Sequence, residues 1–584
     1  MDKYNNLIQA LEAAPPDRVF VTSWIDEDES VAVTFADFRR RARSLAIRLR
    51  ESDVREGDRV LIVMPQGIAG MAAFAGAMML GAVPAFLAYP NFKIAPEKYR
   101  AGLQGVTANL NAKVVMIDDD FPEDMLGYVS LSGDTRLLRA GADVHENEGN
   151  ENSEEDENDG REGQFIAPQV NSEDLAFIQH SAGTTGLQKG VALTHGAVLR
   201  QIELLARALN LDDATDRVYS WLPLYHDMGL IACFMLPMVC HLPVVMQSPL
   251  DWVMHPESML RIIGDHRCTL AWMPNFAFQF VPRRTPARGR AEYDLSSLRA
   301  LINCSEPVRE SSMDEFRRAF AANGLRRGAL QSCYAMAENV FAVTQSSIYA
   351  PEGAATVWAN ARTFRTQHRI EETPPEISGS ICFLSSGRLL PNHCLRIVSD
   401  SGEGLGDGHV GEILIQSDCL FPGYYHRPDL SAAALIDSWY HTGALGFYLA
   451  GELFVVGRKK DLIIVGGENL YPQDIEEVVG THAAIHEGRV VAIGLFNADV
   501  GTDEIIVVAE VEREELLAGY DQIERDLRTL VVAATGVAVK TFFVKPPKWI
   551  IKSTAGKASR SGTREKLLRD HPELQPKAEE DQLA

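Results

Sequence analysis

Ser181, Thr184, Thr185 and Lys189 fall within ten positions, in the stretch SAGTTGLQKG, directly after an apolar run. Hydroxyl groups, an ammonium and three glycines in so short a space suit either a turn between strands or a cradle for phosphate oxygens. Gly183 and Gly186 let successive backbone N–H groups turn toward an anion. The spacing is not that of the common phosphate-binding loop GxxxxGK[ST], because Lys189 is followed by Gly190 rather than by a hydroxyl residue.

The flanking sequence must hold such a loop in place. DLAFIQ before it reads as a strand, and KGVALTH after it leads into GAVLRQIELLARALNL, where Val198, Ile202, Leu205 and Leu209 share one helical face. Upstream, DRVLIVM, AVPAFLA and AKVVMID are short apolar runs separated by helix-length segments, which predicts β-α-β units and a parallel sheet. Near residue 457 the texture changes to a compact α+β pattern with RVVAIGL, EIIVVAEVE, a helical stretch from Tyr520 to Leu530, and VAVKTFFV. We therefore expect an α/β fold: a large N-terminal domain of several subdomains over 1–457, and a small mobile α+β domain over 458–584.

A chain of 584 residues exceeds what one core supports, so more than one unit is required. The formal charge of −24 argues against nucleic acid as a partner, since phosphate backbones are bound in a positive field. Residues 143–164 carry ten acids against one arginine and predict a solvated, flexible insertion. Eight scattered cysteines without CxxC spacing, no signal-like start and no long apolar run point to a cytoplasmic protein with no stable membrane insertion.

Six segments resemble, in order, the signature motifs of the adenylate-forming (acyl-activating) superfamily. HSAGTTGLQKGV is similar to its phosphate loop, LPLYHDMGL to the segment bordering the carboxylate pocket, and NCSEP to the adenine-side loop. CYAMAE is similar to the YGxTE motif, GRKKDLI to the ribose-contact and hinge segment, and KSTAGK to the loop ending in the catalytic lysine. Together they span most of residues 175 to 560.

The resemblance implies ATP and Mg2+ as cofactors and assigns roles residue by residue. Ser181, Thr184, Thr185 and Lys189 would handle the β- and γ-phosphates, and Ser305, Glu306 and Pro307 would border adenine. Tyr334 would stack on the base, Glu338 would hold magnesium, and Arg458 would contact ribose. His226 would gate the carboxylate pocket, Lys557 would bridge carboxylate and α-phosphate, and Lys460 would be the hinge. A carboxylic acid would become an acyl-adenylate with release of pyrophosphate, and domain rotation would then set up thioester formation.

Within the superfamily, AFLAYP, SPLDWVMHP, WMPNFAFQFVPRR, LINCSEPVR and LYPQDIE look most like the fatty acyl-AMP ligases (FAAL). That likeness implies a fatty acid substrate, an acyl carrier protein as acceptor, and a place in lipid or natural-product (polyketide) biosynthesis. Residues 351 to 378 resemble the insertion by which that family limits domain rotation. The acyl pocket is expected around Trp272, Asn275, Phe276, Phe280 and Cys304, with ordinary core packing as the other reading of these side chains.

One position departs from the pattern. Where the family reads RTGDLG, this chain reads HTGALG, so Ala444 stands where an aspartate would accept both ribose hydroxyls. Loss of that charge-assisted contact would cost about 1.5 to 3 kcal/mol. Three explanations fit: replacement of a native aspartate, compensation by another acid such as Glu452, or drift to a weak, specialised or non-catalytic adenylate-binding role. An acyl-CoA or aryl-CoA ligase is the other alternative to carrier loading.

Overall fold

The computed structural model describes residues 4–90, 96–129, 134–140, 168–180, 189–465, 468–497, 502–552 and 557–574. The acidic stretch 143–164 and the loop positions Ser181, Thr184 and Thr185 lie outside them.

The apolar runs form sheets, as their patterning predicts. Arg59–Val63, Val83–Phe86, Val114–Ile117 and Arg136–Arg139 pair in parallel as one four-stranded sheet. A second, nine-stranded sheet contains the parallel strands Val218–Ser220, Leu270–Pro274, Ala300–Cys304 and Leu330–Ala335 as successive neighbours. Buried on both faces, these strands are apolar with little alternation. All four end on the same edge of the sheet, and in open parallel sheets that carboxyl edge is where ligands bind.

Leu175–His180 and Gly190–Thr194 are antiparallel and flank the glycine-rich loop. The helix His195–Ala208 follows at once, its first turn capped by the Thr194 side chain accepting from the Ala197 N–H at 3.2 Å. Val198, Ile202, Leu205 and Leu209 are all buried, as their spacing requires. A short strand, Gly423–Tyr424, pairs with Val191 and Ala192, and so carries a distant tyrosine to the end of the loop.

Strand Glu452–Arg458 pairs antiparallel with Trp439–Leu449 in a separate five-stranded sheet, and a single turn, Lys459–Asp461, leads out of it. Beyond that turn Ile485–Asn497 and Thr502–Val511 pair antiparallel, and Thr541–Lys545 joins the latter in parallel. Both faces of this sheet are covered. Ile475, Val479, Leu527 and Val531 pack one side, from helices Pro472–Gly480 and Tyr520–Thr535. Leu567 of helix Arg560–Asp570 packs the other against Val491 and Ile493. No helix among the described residues is long and apolar enough to cross a membrane.

Candidate active site

The four parallel strands release their site residues at one edge. Trp221 to His226 follow Val218–Ser220, and Asn275 and Phe276 follow Leu270–Pro274. Ser305 to Pro307 follow Ala300–Cys304, and Glu338 follows Leu330–Ala335 by a short 3-10 turn. Lys557 arrives from the small domain: Lys552 and Ala558 pair as an isolated bridge, and Lys557 beside it donates from Nζ to the Ser305 carbonyl at 2.6 Å.

Ser305 has φ 71°, a left-handed conformation unusual for serine, and its carbonyl faces the lysine from that strained turn. The imidazole of His226 stands 2.7 Å through Nδ1 from Asp227 Oδ1, and the Met228 N–H donates to the same carboxylate oxygen at 2.8 Å. Burial alone would raise the Asp227 carboxyl, but His226, the Met228 N–H and the Lys557 charge hold it below the ordinary carboxylate value. Asp227 therefore ties His226 and Lys557 electrostatically to one point. The following segment, Met228–Met235, is a π-helix, a form concentrated at functional sites. It starts against the Pro223 carbonyl so closely that a Cβ on Gly229 would lie 2.2 Å from that oxygen.

On the phosphate side, Lys189 Nζ lies 4.6 Å above the Tyr424 ring, and the Tyr424 hydroxyl donates to Glu338 Oε1 at 2.7 Å. Lys189, Arg458 and Lys460 converge here. Burial first, then Arg458, Lys189 and Arg560, push the Lys460 ammonium below its ordinary value against the pull of Asp461. Such a concentration of positive charge suits a polyphosphate. A single carboxylate completed by substrate phosphates and water is a common way to hold magnesium, so the site fits that ion.

Glu338 is also rigidly placed. Two residues on, Val340 has φ 63° and ψ −57°, strained for a β-branched residue, with the Phe341 N–H donating to the Asn339 carbonyl at 2.7 Å. The Asn339 amide pins the turn through Gln201 at 3.3 Å, His393 at 2.9 Å and Ser417 at 2.6 Å.

On the nucleoside side, burial pushes the Tyr334 phenol up to about 12, against the pull of a bond to Thr442 and of the Arg458 charge, with Glu338 adding a little to the rise. Ala444 is paired across the sheet with Arg458. The sequence thus brings Tyr334, Ala444 and Arg458 together. Of the three explanations for Ala444, compensation by Glu452 does not hold: Glu452 pairs with Leu449 at the opposite end of the same hairpin and is engaged by Ser385 and, at 3.1 Å, by Arg388. The acid that does reach this turn is Glu412. It accepts from the Gly443 N–H at 3.3 Å and from Lys459 at 3.4 Å, with His441 at 3.8 Å.

Trp272, midway along Leu270–Pro274, and Cys304, at the end of Ala300–Cys304, are fully buried, Phe276 is at the surface, and Phe280 is half-buried. Trp221 and Trp252, which patterning did not single out, stack at 3.5 Å and 2°. Phe276 and Phe280 lie 6.1 Å and 5.6 Å from Trp252, forming one aromatic wall. Asn275 serves the framework: its Oδ1 accepts from Asn303 at 2.9 Å and from the Arg309 N–H at 3.1 Å, and its Nδ2 donates to Ser312 at 3.0 Å. Glu306 accepts from the Phe276 N–H at 3.0 Å, while Pro307 is exposed.

The segment 351–378 touches the small domain directly. Arg365 donates to the Thr535 carbonyl at 2.7 Å, His368 pairs with Asn469 at 3.2 Å, and Phe364 stacks on Tyr471 at 5.2 Å.

A parallel-sheet domain over which a small domain places a lysine is the adenylate-forming enzyme fold, and comparison with known proteins agrees. The model of the AMP-binding enzyme family matches residues 8–425. The chain is 29% identical to JamA, a medium-chain-fatty-acid–[acyl-carrier-protein] ligase of Moorena producens, over 93% of this chain and 91% of that protein. It is 28% identical to 4-hydroxyphenylalkanoate adenylyltransferase of Mycobacterium marinum, over 92% and 86% respectively. A structure from a study of fatty acyl-adenylate ligases of E. coli and L. pneumophila matches with a TM-score of 0.86 at 25% identity, covering 98% of each chain. The chain belongs to the AMP-binding enzyme family and is an adenylate-forming ligase whose relatives include fatty acyl-AMP ligases.

Proposed function

We propose that this protein activates a fatty acid with ATP and passes the acyl group to the phosphopantetheine thiol of an acyl carrier protein. In the first step a carboxylate oxygen attacks the α-phosphorus, the bond to the β-phosphate bridge breaks, and pyrophosphate leaves. In the second the thiol attacks the acyl carbon and AMP departs, the thiol proton passing to solvent. The observation that carries this reading is the placement of Lys557 on the adenine-side loop, at 2.6 Å from the Ser305 carbonyl. A compact ammonium there meets charge developing on carboxylate and α-phosphate oxygens.

Lys189 and the loop bearing Ser181, Thr184 and Thr185 take the β- and γ-phosphates in this scheme. Tyr334, Ser305 and Glu306 border the base, Arg458 reaches the ribose, and Lys460 is the pivot between domain 1–457 and domain 458–584. Magnesium, when bound through Glu338, offsets phosphate charge. The aromatic wall from Trp221 to Phe280, with Trp272 and Cys304 near it, suits an apolar acyl tail. The acceptor assignment is supported by what JamA is named for. It is also supported by the segment 351–378 gripping the small domain. Eight unpaired cysteines suit a reducing, cytoplasmic setting.

Ala444 favours one further reading, a protein that forms or holds adenylate with weak affinity for free nucleotide. Supplying preformed adenylation mixtures with either coenzyme A or a phosphopantetheinylated carrier separates the acceptors. Thioester on the carrier is expected; thioester on coenzyme A alone refutes carrier loading.

A further inference from the structure

We propose that Arg309 is a positioning residue for adenylation, holding the small domain in the arrangement that delivers Lys557; this rests on the adenylation reading above. Arg309 lies just past the adenine-side loop, and its two ends belong to different domains. Its backbone N–H is fixed by Asn275 Oδ1 at 3.1 Å, and Asn275 is itself braced by Asn303 and Ser312, all three side chains being buried. That roots the backbone in the large domain.

Its guanidinium crosses to the helix Pro472–Gly480. Nη2 donates to the Gln473 carbonyl at 2.9 Å and lies 4.0 Å from Asp474 Oδ1, while Nη1 pairs with the Glu477 carboxylate. Ser311 adds a bond to Glu477 Oε1 at 2.9 Å. Three acceptors in divergent directions need the planar fork of arginine.

The helix so gripped is coupled to the lysine. Arg560, three residues beyond Lys557, pairs with Glu476 at 2.7 Å and with Asp461 of the hinge turn at 2.9 Å. Two points of the segment from Ser305 to Arg309 therefore hold two points of one rigid unit: Ser305 the lysine, and Arg309 the helix tied to it through Glu476 and Arg560. Burial pushes the Asp474 carboxyl above its ordinary value, and Arg309 is its strongest counterweight. Without that cation the half-buried Asp474 loses its strongest counter-charge, Arg365 being the next, and the seam between the domains loses attraction.

The test uses the full chain, with limited trypsin cleavage after the exposed hinge residues Lys459 and Lys460, and ATP–pyrophosphate exchange with dodecanoic acid as probe. Arg309→Met should be cut at the hinge about tenfold faster and lose about tenfold in exchange kcat, with KM for ATP within about twofold, as expected when only the closed population falls. Arg309→Lys should recover part of both. Parent-like cleavage and kcat in Arg309→Met overturn the proposal. If Arg309→Met does not fold, Glu477→Gln, which leaves the Arg309 backbone bond intact, must move both readouts the same way, and parent-like values there overturn it equally. If the parent shows no exchange with dodecanoic acid or with any other acid of a fatty-acid panel, the adenylation reading fails separately, and hinge cleavage alone decides whether Arg309 holds the domains together.

Discussion

The ammonium of Lys557 and the carbonyl of Ser305 meet at 2.6 Å although 252 positions separate them in the chain. Their contact joins the C-terminal part of the chain to the carboxyl edge of the nine-stranded sheet. Asp227 senses the same lysine charge and pairs with His226, so His226 and the Lys557 ammonium share one anionic anchor. Removing the ammonium should leave the nucleotide pocket standing. Lys557→Ala is expected to lower adenylate formation by about 10² to 10³-fold. ATP affinity measured by calorimetry should change little, and an unaltered exchange rate would take this lysine out of the mechanism.

Ala444 faces Arg458 across the sheet, beside the turn held by Glu412. A carboxylate there would regain the ribose contact while pairing with Arg458. Ala444→Asp should tighten nucleotide binding by about tenfold, the equivalent of one charge-assisted hydrogen bond. Titration calorimetry showing no gain would place the ribose elsewhere.

Tyr424 orients Glu338 through a 2.7 Å bond and carries Lys189 over its ring. Deleting the hydroxyl while keeping the ring separates these roles. Tyr424→Phe should raise the magnesium concentration for half-maximal exchange by about tenfold, as loss of an outer-shell partner does, and should leave the fatty acid KM unchanged.

Two buried histidines set an acid limit on the fold. Burial lowers the pKa values of His180 and His195 from 6.5 to about 4. The unfolded chain therefore binds protons that the folded chain refuses, and stability falls as pH drops from 6.5 toward 4. His195 accepts the Leu7 N–H at Nδ1 at 3.3 Å, a bond that protonation abolishes. His195→Asn, which keeps an acceptor but cannot titrate, should show a shallower decline of Tm over that range; an identical slope would exonerate this histidine.

Much of this site was legible because its motifs are contiguous. The resemblance of NCSEP and CYAMAE to family motifs names Ser305, Tyr334 and Glu338 directly, although no strand pattern marks the strands Ala300–Cys304 and Leu330–Ala335 that carry them. Contacts between remote segments were not legible. Tyr424 reaches Glu338 only because a two-residue strand pairs beside Val191, and nothing in its neighbours marks that register. Asn275, grouped by position with the acyl pocket, spends its amide on Asn303, Ser312 and Arg309. Glu452 is near Ala444 in sequence, yet the hairpin carries it away, while Glu412 arrives from the neighbouring strand. The π-helical winding of Met228–Met235 left no trace in an all-apolar segment, where every period looks alike.

The most direct measurement is mass spectrometry of the reaction with ATP, magnesium and a panel of fatty acids. It should detect an acyl-adenylate for at least one acid, with pyrophosphate released in equal amount, and the rate of adenylate appearance should fall by about 10²-fold or more in Lys557→Ala. Tight ATP binding with no adenylate from any acid in the panel would contradict the account.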